Sequence, residues 1–356
     1  MTRLRDLGVS IGALPTGAFN AITDVPGVWV GHTTVIRDEP SVVRTGVTVI
    51  VPRENTIWTD YAFCAWHSFN GNGELTGIPW VEESGLLGSV VALTNTHQVG
   101  MVRDALVRYS VEHGFVNEFI LPVVTETYDG WLSDAASFPL VEADVFSALA
   151  AAGEGPVAEG NVGGGTGMIC HEFKGGIGTS SRVVDLPMHS FTVGVLVQAN
   201  YGARSQLRLD GRPLGRLIDY QRVPPPWPAQ PRDGSIIVVI ATDAPLLAEQ
   251  CRRLARRATV GLARVGGVGH NGSGDIFFAL ATGNSLPAEP GGLFPLKMLP
   301  HEQMDRLFVA VADATEEAIL NALCAAETMT GREGRTAHAL PVQLVAELLE
   351  GERRDG

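Results

Sequence analysis

Six short runs along the chain are almost continuously apolar: GVTVIVPR (46–53), SVVALTNT (89–96), FILPVVTET (119–127), FTVGVLVQANYG (191–202), SIIVVIATDAP (235–245) and IFFALATG (276–283). Strands that lack polar alternation are buried on both faces. Between them, helix-like patterns cover 99–113, 142–152, 244–258, 302–329 and 340–350. Pro245 fits the first turn of a helix behind an Asp243 cap, and Gly331 fits the stop of the long fourth helix. Doubly buried strands mixed with helices predict sheets covered by helices on their outer sides. The segment RVPPPWPAQPRDGS (222–235) predicts an extended surface loop. No second core pattern flanks it, so residues 1–356 are expected to form a single domain.

Composition narrows the class. A chain of 356 residues, 45% of them hydrophobic, can bury a sizeable core. The formal net charge of −13 argues against a nucleic-acid partner. Cys64, Cys170, Cys251 and Cys324 are far apart and form no C-x-x-C pair, so buried reduced thiols are expected rather than a zinc or redox motif. The start, MTRLRDLGVSIGALP, lacks the apolar stretch of a signal peptide. No run approaches the ~20 residues of a membrane helix. A cytoplasmic protein with no membrane partner is the expectation.

Three features invite a chemical reading. The glycine-rich stretch GNVGGGTGMICHEFKGGIGTSSR (160–182) lacks the G-K-[ST] of a phosphate loop, and no helical run follows it. A packing loop near a site is expected instead. The nine histidines are scattered, with no H-E-x-x-H or H-x-H pair, so no metal is expected. In VGGVGHNGSGDIFFAL (265–280), Ser273 stands between two glycines at the mouth of a strand. It fails the G-x-S-x-G elbow pattern, and a strand rather than a helix follows. A serine can also be activated by becoming an N-terminus. Its α-amine, with a pKa of about 7.7–8.0, is then a suitable base. In that reading Gly272 takes left-handed or strained geometry at the scissile peptide, and Gly274 admits substrate backbone. The competing reading is a plain G-S-G turn.

The stretch NGSGDIFFA resembles the self-processing serine aminopeptidases, the family of the L-aminopeptidase/D-amidase-esterase and the β-aminopeptidases. So do FNAITDVPGVWVGHTT (19–34), RTGVTVIVPR, FNGNGELTG (69–77), VEESGLL, TNTHQVG, TETYDGWLSD (125–134), VGVLVQANYG (193–202) and ATEEAILNALCAAETMTGR (314–332), in that order. The resemblance implies a four-layer α/β/β/α sandwich, similar to N-terminal nucleophile hydrolases but differently connected. It also implies cleavage between Gly272 and Ser273 into a large subunit, 1–272, and a small one, 273–356.

The resemblance further implies roles. Ser273 is the expected nucleophile and Asn200 the oxyanion donor. Glu126 is expected to hold the substrate's free amine, and Tyr128 to assist the intermediate. Thr315 and Glu317 match the hydroxyl and carboxylate that orient the serine, with Glu316 as the rival if the alignment slips by one. Positions i and i+2 diverge by about 200° on a regular helix, so Thr315 and Glu317 converge only if Thr315 lies at the helix start. The expected substrate is a short peptide or an amino-acid amide or ester. No cofactor is implied, and relatives suggest a tetramer of processed heterodimers. Two alternatives stand beside this: an acyl transferase like ornithine acetyltransferase, although that family generally uses threonine, and an uncut, non-catalytic binding protein.

Overall fold

Apolar periodicity resolves into two stacked sheets in the computed structural model, which describes residues 1–115, 119–227, 234–289 and 291–355. In chain order the strands are β1 (Trp29–Arg37), β2 (Val43–Val51), β3 (Asp60–Gly71), β4 (Leu86–Leu87), β5 (Val91–Asn95), β6 (Val123–Thr127), β7 (Ile169–Cys170), β8 (Phe173–Lys174), β9 (Gly176–Leu186), β10 (His189–Asn200), β11 (Ser235–Thr242), β12 (Gly274–Pro287), β13 (Met329–Thr330) and β14 (Thr336–Ala337). The helices are α1 (Ile78–Ser84), α2 (Val99–Glu112), α3 (Glu142–Ala150), α4 (Leu214–Leu217), α5 (Ala248–Val265), α6 (Met304–Ala325) and α7 (Val342–Asp355). Among the described residues one large sheet runs β1-β2-β5-β6 and the other β4-β3-β12-β11-β10-β9, while β7-β8 and β13-β14 form two small two-stranded sheets.

The strands at the centre of the larger sheet explain the layering. On β11, Ile236, Val238 and Ile240 enter one core, with Leu254, Leu262 and Leu320 of α5 and α6. Their neighbours Ile237, Val239 and Ala241 enter the other, with Val47, Val49 and Leu93 of the smaller sheet. Successive strand residues point to opposite faces, so a strand apolar on both faces serves two cores at once. Helices α2 and α3 cover the far side of the smaller sheet, giving the order α/β/β/α. Helix α6 lies close on β9: a Cβ on Gly178 would sit 2.0 Å from the Ala318 carbonyl oxygen.

Several boundaries differ from the sequence expectation. Helix α5 starts at Ala248, and Gln250 Oε1 accepts from Leu247 N. Pro245 therefore precedes the helix, and Asp243 Oδ1 accepts from Thr192 N on β10 instead of capping it. Helix α6 ends at Ala325, ahead of Gly331. The second half of the glycine-rich stretch is strand β9. Part of the proline-rich 222–235 segment, 228–233, lies outside the described residues. All four cysteines are buried and free. Among the described residues no helix is long and apolar enough to cross a membrane.

One buried ion pair ties the outer layer to the sheet edge. Arg182 of β9 donates to Glu317 Oε2 at 2.7 Å, and both side chains are fully buried. Arg182 also donates to the Ile11 and Ser181 carbonyls and to Ser180 Oγ. Glu317 Oε1 accepts from Arg5 at 2.7 Å and from Asn20 Nδ2 at 2.6 Å. Burial alone would push the Glu317 carboxyl up, but Arg5, Arg182 and Asn20 outweigh it and hold it below the usual value. Such a group adds stability above its unfolded pKa, and that contribution is lost as pH falls through the lower folded value. Arg182→Met leaves this carboxylate short of a buried partner. We expect a loss of about 3–5 kcal/mol at pH 7. The loss should shrink as the pH falls through the ordinary carboxylate range, where the variant's Glu317 can take a proton. Urea unfolding at pH 7 and pH 4 reads both, and an unchanged midpoint at pH 7 would refute the role of the pair.

Candidate active site

The site lies where β3 ends and β11 and β12 begin. Gly274 pairs with Gly71 across the antiparallel β3–β12 ladder and with Ser235 across the parallel β11–β12 ladder. Between Asn70↔Asp275 and Ser68↔Ile276 the ladder skips Phe69. Bulges of this kind re-aim side chains beside functional sites. The Phe69 ring stacks near Phe277, and a Cβ on Gly269 would come within 2.7 Å of it. The bulged residue thus props the turn that leads into Ser273.

That turn is closed by a hydrogen bond from Ser273 N to the His270 carbonyl at 2.8 Å. Gly269, just before the turn, is left-handed at φ 66°, whereas Gly272 is not left-handed. Asn70 Nδ2 also donates to the His270 carbonyl. Asn72 holds both sides of the Gly272–Ser273 peptide. Its side-chain amide donates to the Gly272 carbonyl at 2.8 Å, and its backbone N–H donates to the Ser273 carbonyl at 3.1 Å. A Cβ on Gly274 would sit 2.4 Å from the Asn72 carbonyl oxygen. The close approach that requires this glycine is therefore to the chain's own backbone.

Ser273 is buried, and its hydroxyl donates to Asp275 Oδ1 at 2.6 Å. Residues i and i+2 of a strand share a face, and the bulge leaves Asp275 opposite Asn70. Burial pushes the Asp275 carboxyl up; the Ser273 hydroxyl, the Ile236 backbone and His270 pull it partly back. Sequence reasoning passed over Asp275 and Asn72. The i, i+2 spacing of Ser273 and Asp275 at a strand start was a usable signal. Asn72 had none, because its partner is 200 residues away.

Gly272 opens onto a cavity of about 480 Å³, lined also by Asn72, Glu74, Thr96, Glu126, Tyr128 and Ser235. Glu126 is the penultimate residue of β6, where its carboxylate accepts from Glu74 N at 3.0 Å and from the Thr96 hydroxyl. Burial raises its pKa, and those two hydrogen bonds oppose the rise. A Cβ on Gly73 would lie 3.2 Å from Glu126 Oε1 and 3.4 Å from the Gly274 Cα. The Glu126 carboxylate and the start of β12 thus face each other across the width of one residue. Tyr128 and Gly234 also line a second cavity of about 240 Å³, walled by Trp131, Ile169, Asn200, Tyr201 and Trp227. Asn200 ends β10 opposite Ser235. Its Oδ1 accepts from Ile169 N at 2.8 Å, and its Nδ2 donates to the Tyr128 carbonyl at 3.0 Å. These partners fix which way the amide faces.

Ser273, Glu126, Tyr128 and Asn200 are therefore brought to one end of the sheets. Thr315 and Glu317 are not. Thr315 lies in the middle of α6, not at its start, and its Cβ is 2.6 Å from where a Cβ on Gly261 of α5 would sit. Glu317 points to Arg182 on β9. Strand β9 lies three places from β12 in the sheet, about 14 Å at ordinary strand spacing. The rival Glu316 is engaged with Arg264 at 3.3 Å. Among the described residues no group of three His, Cys, Asp or Glu side chains is placed to hold a metal ion.

Comparison with known proteins identifies relatives along almost the whole chain. Residues 20–337 match the model of Peptidase family S58. The chain is 45% identical to the beta-peptidyl aminopeptidase BapA of Sphingosinicella microcystinivorans, over 99% of this chain and 93% of that one. It superposes on a beta-aminopeptidase of Burkholderia sp. with a TM-score of 0.92 and 51% identity, covering 98% and 99% of the two chains. It superposes equally on the L-aminopeptidase D-Ala-esterase/amidase of Ochrobactrum anthropi, a prototype of the serine aminopeptidases and a variant of the Ntn hydrolase fold, with a TM-score of 0.91, 42% identity and 99% coverage of both chains. With a family model matched over residues 20–337 and relatives 45% and 51% identical along almost the whole chain, the chain belongs to Peptidase family S58.

Proposed function

We propose that the chain cuts itself between Gly272 and Ser273, and that the freed Ser273 is the nucleophile of an aminopeptidase for short peptides, amino-acid amides or esters. The observation that carries this is the placement of the Gly272–Ser273 peptide at a cavity that also holds the buried Glu126 carboxylate. The names of the relatives point the same way. In the continuous chain Ser273 Oγ turns toward Asp275. Cleavage would release its backbone nitrogen as an α-amine, whose pKa of about 7.7–8.0 suits a base.

In the proposed reaction Ser273 Oγ attacks the substrate carbonyl, and its own α-amine takes the proton. Asn200 has two amide hydrogens, and the one not given to Tyr128 donates to the oxyanion. Loss of such a donor costs roughly 3–4 kcal/mol. The Tyr128 phenol is a second stabiliser. The leaving amine departs with a proton, and water hydrolyses the acyl-enzyme. Glu126 binds the substrate's ammonium group by a charge-assisted hydrogen bond. The aromatic walls of the smaller cavity suit the rest of the substrate. Processing yields subunits 1–272 and 273–356 of one domain. Free, buried cysteines support a reducing compartment such as the cytoplasm. The exposed apolar side chains Met188, Leu293, Leu296 and Met298 support assembly into an oligomer, a tetramer of processed pairs in our reading.

Intact mass under denaturing conditions tests the proposal. Two fragments meeting at Gly272/Ser273 are expected for the parent, and one chain for Ser273→Ala. A single chain in both would remove the α-amine from the mechanism and favour an uncut binding protein. The amine site has its own test. Glu126→Gln should lower kcat/KM for a free-amine peptide amide roughly 10- to 100-fold. It should leave the poor hydrolysis of the N-acetylated amide where it was, and equal losses on both substrates would refute amine recognition.

A further inference from the structure

Asn72 and Asp275 have no part in the turnover just described, yet they touch the two atoms that must react if the chain cuts itself. Asp275 Oδ1 lies 2.6 Å from Ser273 Oγ. That distance is typical of a hydroxyl given to a carboxylate. Asn72 Nδ2 lies 2.8 Å from the Gly272 carbonyl oxygen. Asn200 has one amide hydrogen on the Tyr128 carbonyl and its oxygen on Ile169 N, and no hydrogen bond joins it to the Gly272 carbonyl. The scissile N–H is itself fixed on the His270 carbonyl.

We propose that Asp275 is the proton acceptor, and Asn72 the oxyanion donor, for cleavage of the chain's own Gly272–Ser273 bond, a set separate from the one used on substrates. The inference rests on reading Ser273 as the self-cleaving nucleophile. As Ser273 Oγ bonds to the Gly272 carbonyl carbon, its proton passes to the Asp275 carboxylate. The negative oxygen that forms faces the Asn72 amide. The carbon–nitrogen bond then breaks, and Asp275 returns the proton to the departing nitrogen, which becomes the Ser273 α-amine. An ester now joins Gly272 to Ser273 Oγ. Water adds to the ester carbon and one of its protons replaces the carbon on Oγ. Gly272 leaves as a carboxylic acid that ionises, and the serine hydroxyl is restored.

The two groups should not count equally. Asp275 is buried, while Asn72 is exposed and water can partly replace its amide. Chains made in a short pulse of cell-free translation are followed by intact mass, and the rate of cutting is the readout. Asp275→Asn keeps the shape but removes the base, and should slow cutting at least 100-fold. Asn72→Asp turns the donor into an acceptor of equal size, and should slow it at least tenfold. Either variant cutting at the parent's rate overturns the corresponding role. Each variant is also made with Ser273→Ala, and its urea midpoint is compared with that of Ser273→Ala alone. A variant that loses the fold is replaced by Asp275→Ser or Asn72→Ala and judged on the same rates. A parent that never cuts overturns the reading of Ser273 and this inference with it, whereas a parent that cuts beside unslowed variants overturns this inference alone.

Discussion

Next to the turn that holds the Gly272–Ser273 peptide, the ladder between β3 and β12 skips Phe69, and the geometry of the site follows from that slip. It sets Asn70 opposite Asp275 and brings Asn72 alongside the Gly272–Ser273 peptide. A one-residue change of register turns every strand side chain to the opposite face. Without the bulge, the hydroxyl of Ser273 and the carboxylate of Asp275 would still share a face, but the Asn72 amide would lose its place on the Gly272 carbonyl. The packing of Phe69 near Phe277 and against the Gly269 turn holds the slip in place.

The chain uses its buried carboxylates in contrasting ways, and their surroundings separate the roles. Glu317 has an arginine on each side and is held ionised, which suits a fixed structural joint. Asp275 and Glu126 have only neutral donors, a hydroxyl and backbone amide apiece, and burial moves them toward the neutral form. A group that can change protonation, or that lacks a cation of its own, is the kind that can take a proton or a visiting ammonium.

The doubly apolar strands β2, β5, β10, β11 and β12 were legible because serving two cores leaves no room for polar alternation. Strands β1 and β3 were not. Their polar residues His32, Thr34, His67 and Ser68 leave only a weak pattern, and β9 hid among glycines that α6 needs for close contact. Helix starts slipped because caps such as Gln250 on Leu247 depend on side-chain reach, which apolar spacing does not report. At the site, Ser273 stood out through its glycines, and the resemblance supplied Asn200, Glu126 and Tyr128. It also supplied Thr315 and Glu317, which the middle of a regular helix sends in different directions. Asp275 lay within reach of its i, i+2 spacing from Ser273, whereas Asn72 became visible only with the β3–β12 register.

Strand β12 is interior to its sheet, between β3 and β11, and α6 follows it in the chain. A break before Ser273 would leave both elements wedged in place by neighbours from the other piece. The folded molecule would scarcely register the loss of one bond. Its history would emerge only on unfolding, because two strangers would then have to find each other again. Recovery would become a second-order encounter that slows with dilution, and the β12 slot left empty in the larger piece would expose apolar edges to any other chain nearby. Self-cleavage at this position would make the fold a one-way construction, assembled as one polymer and persisting as two.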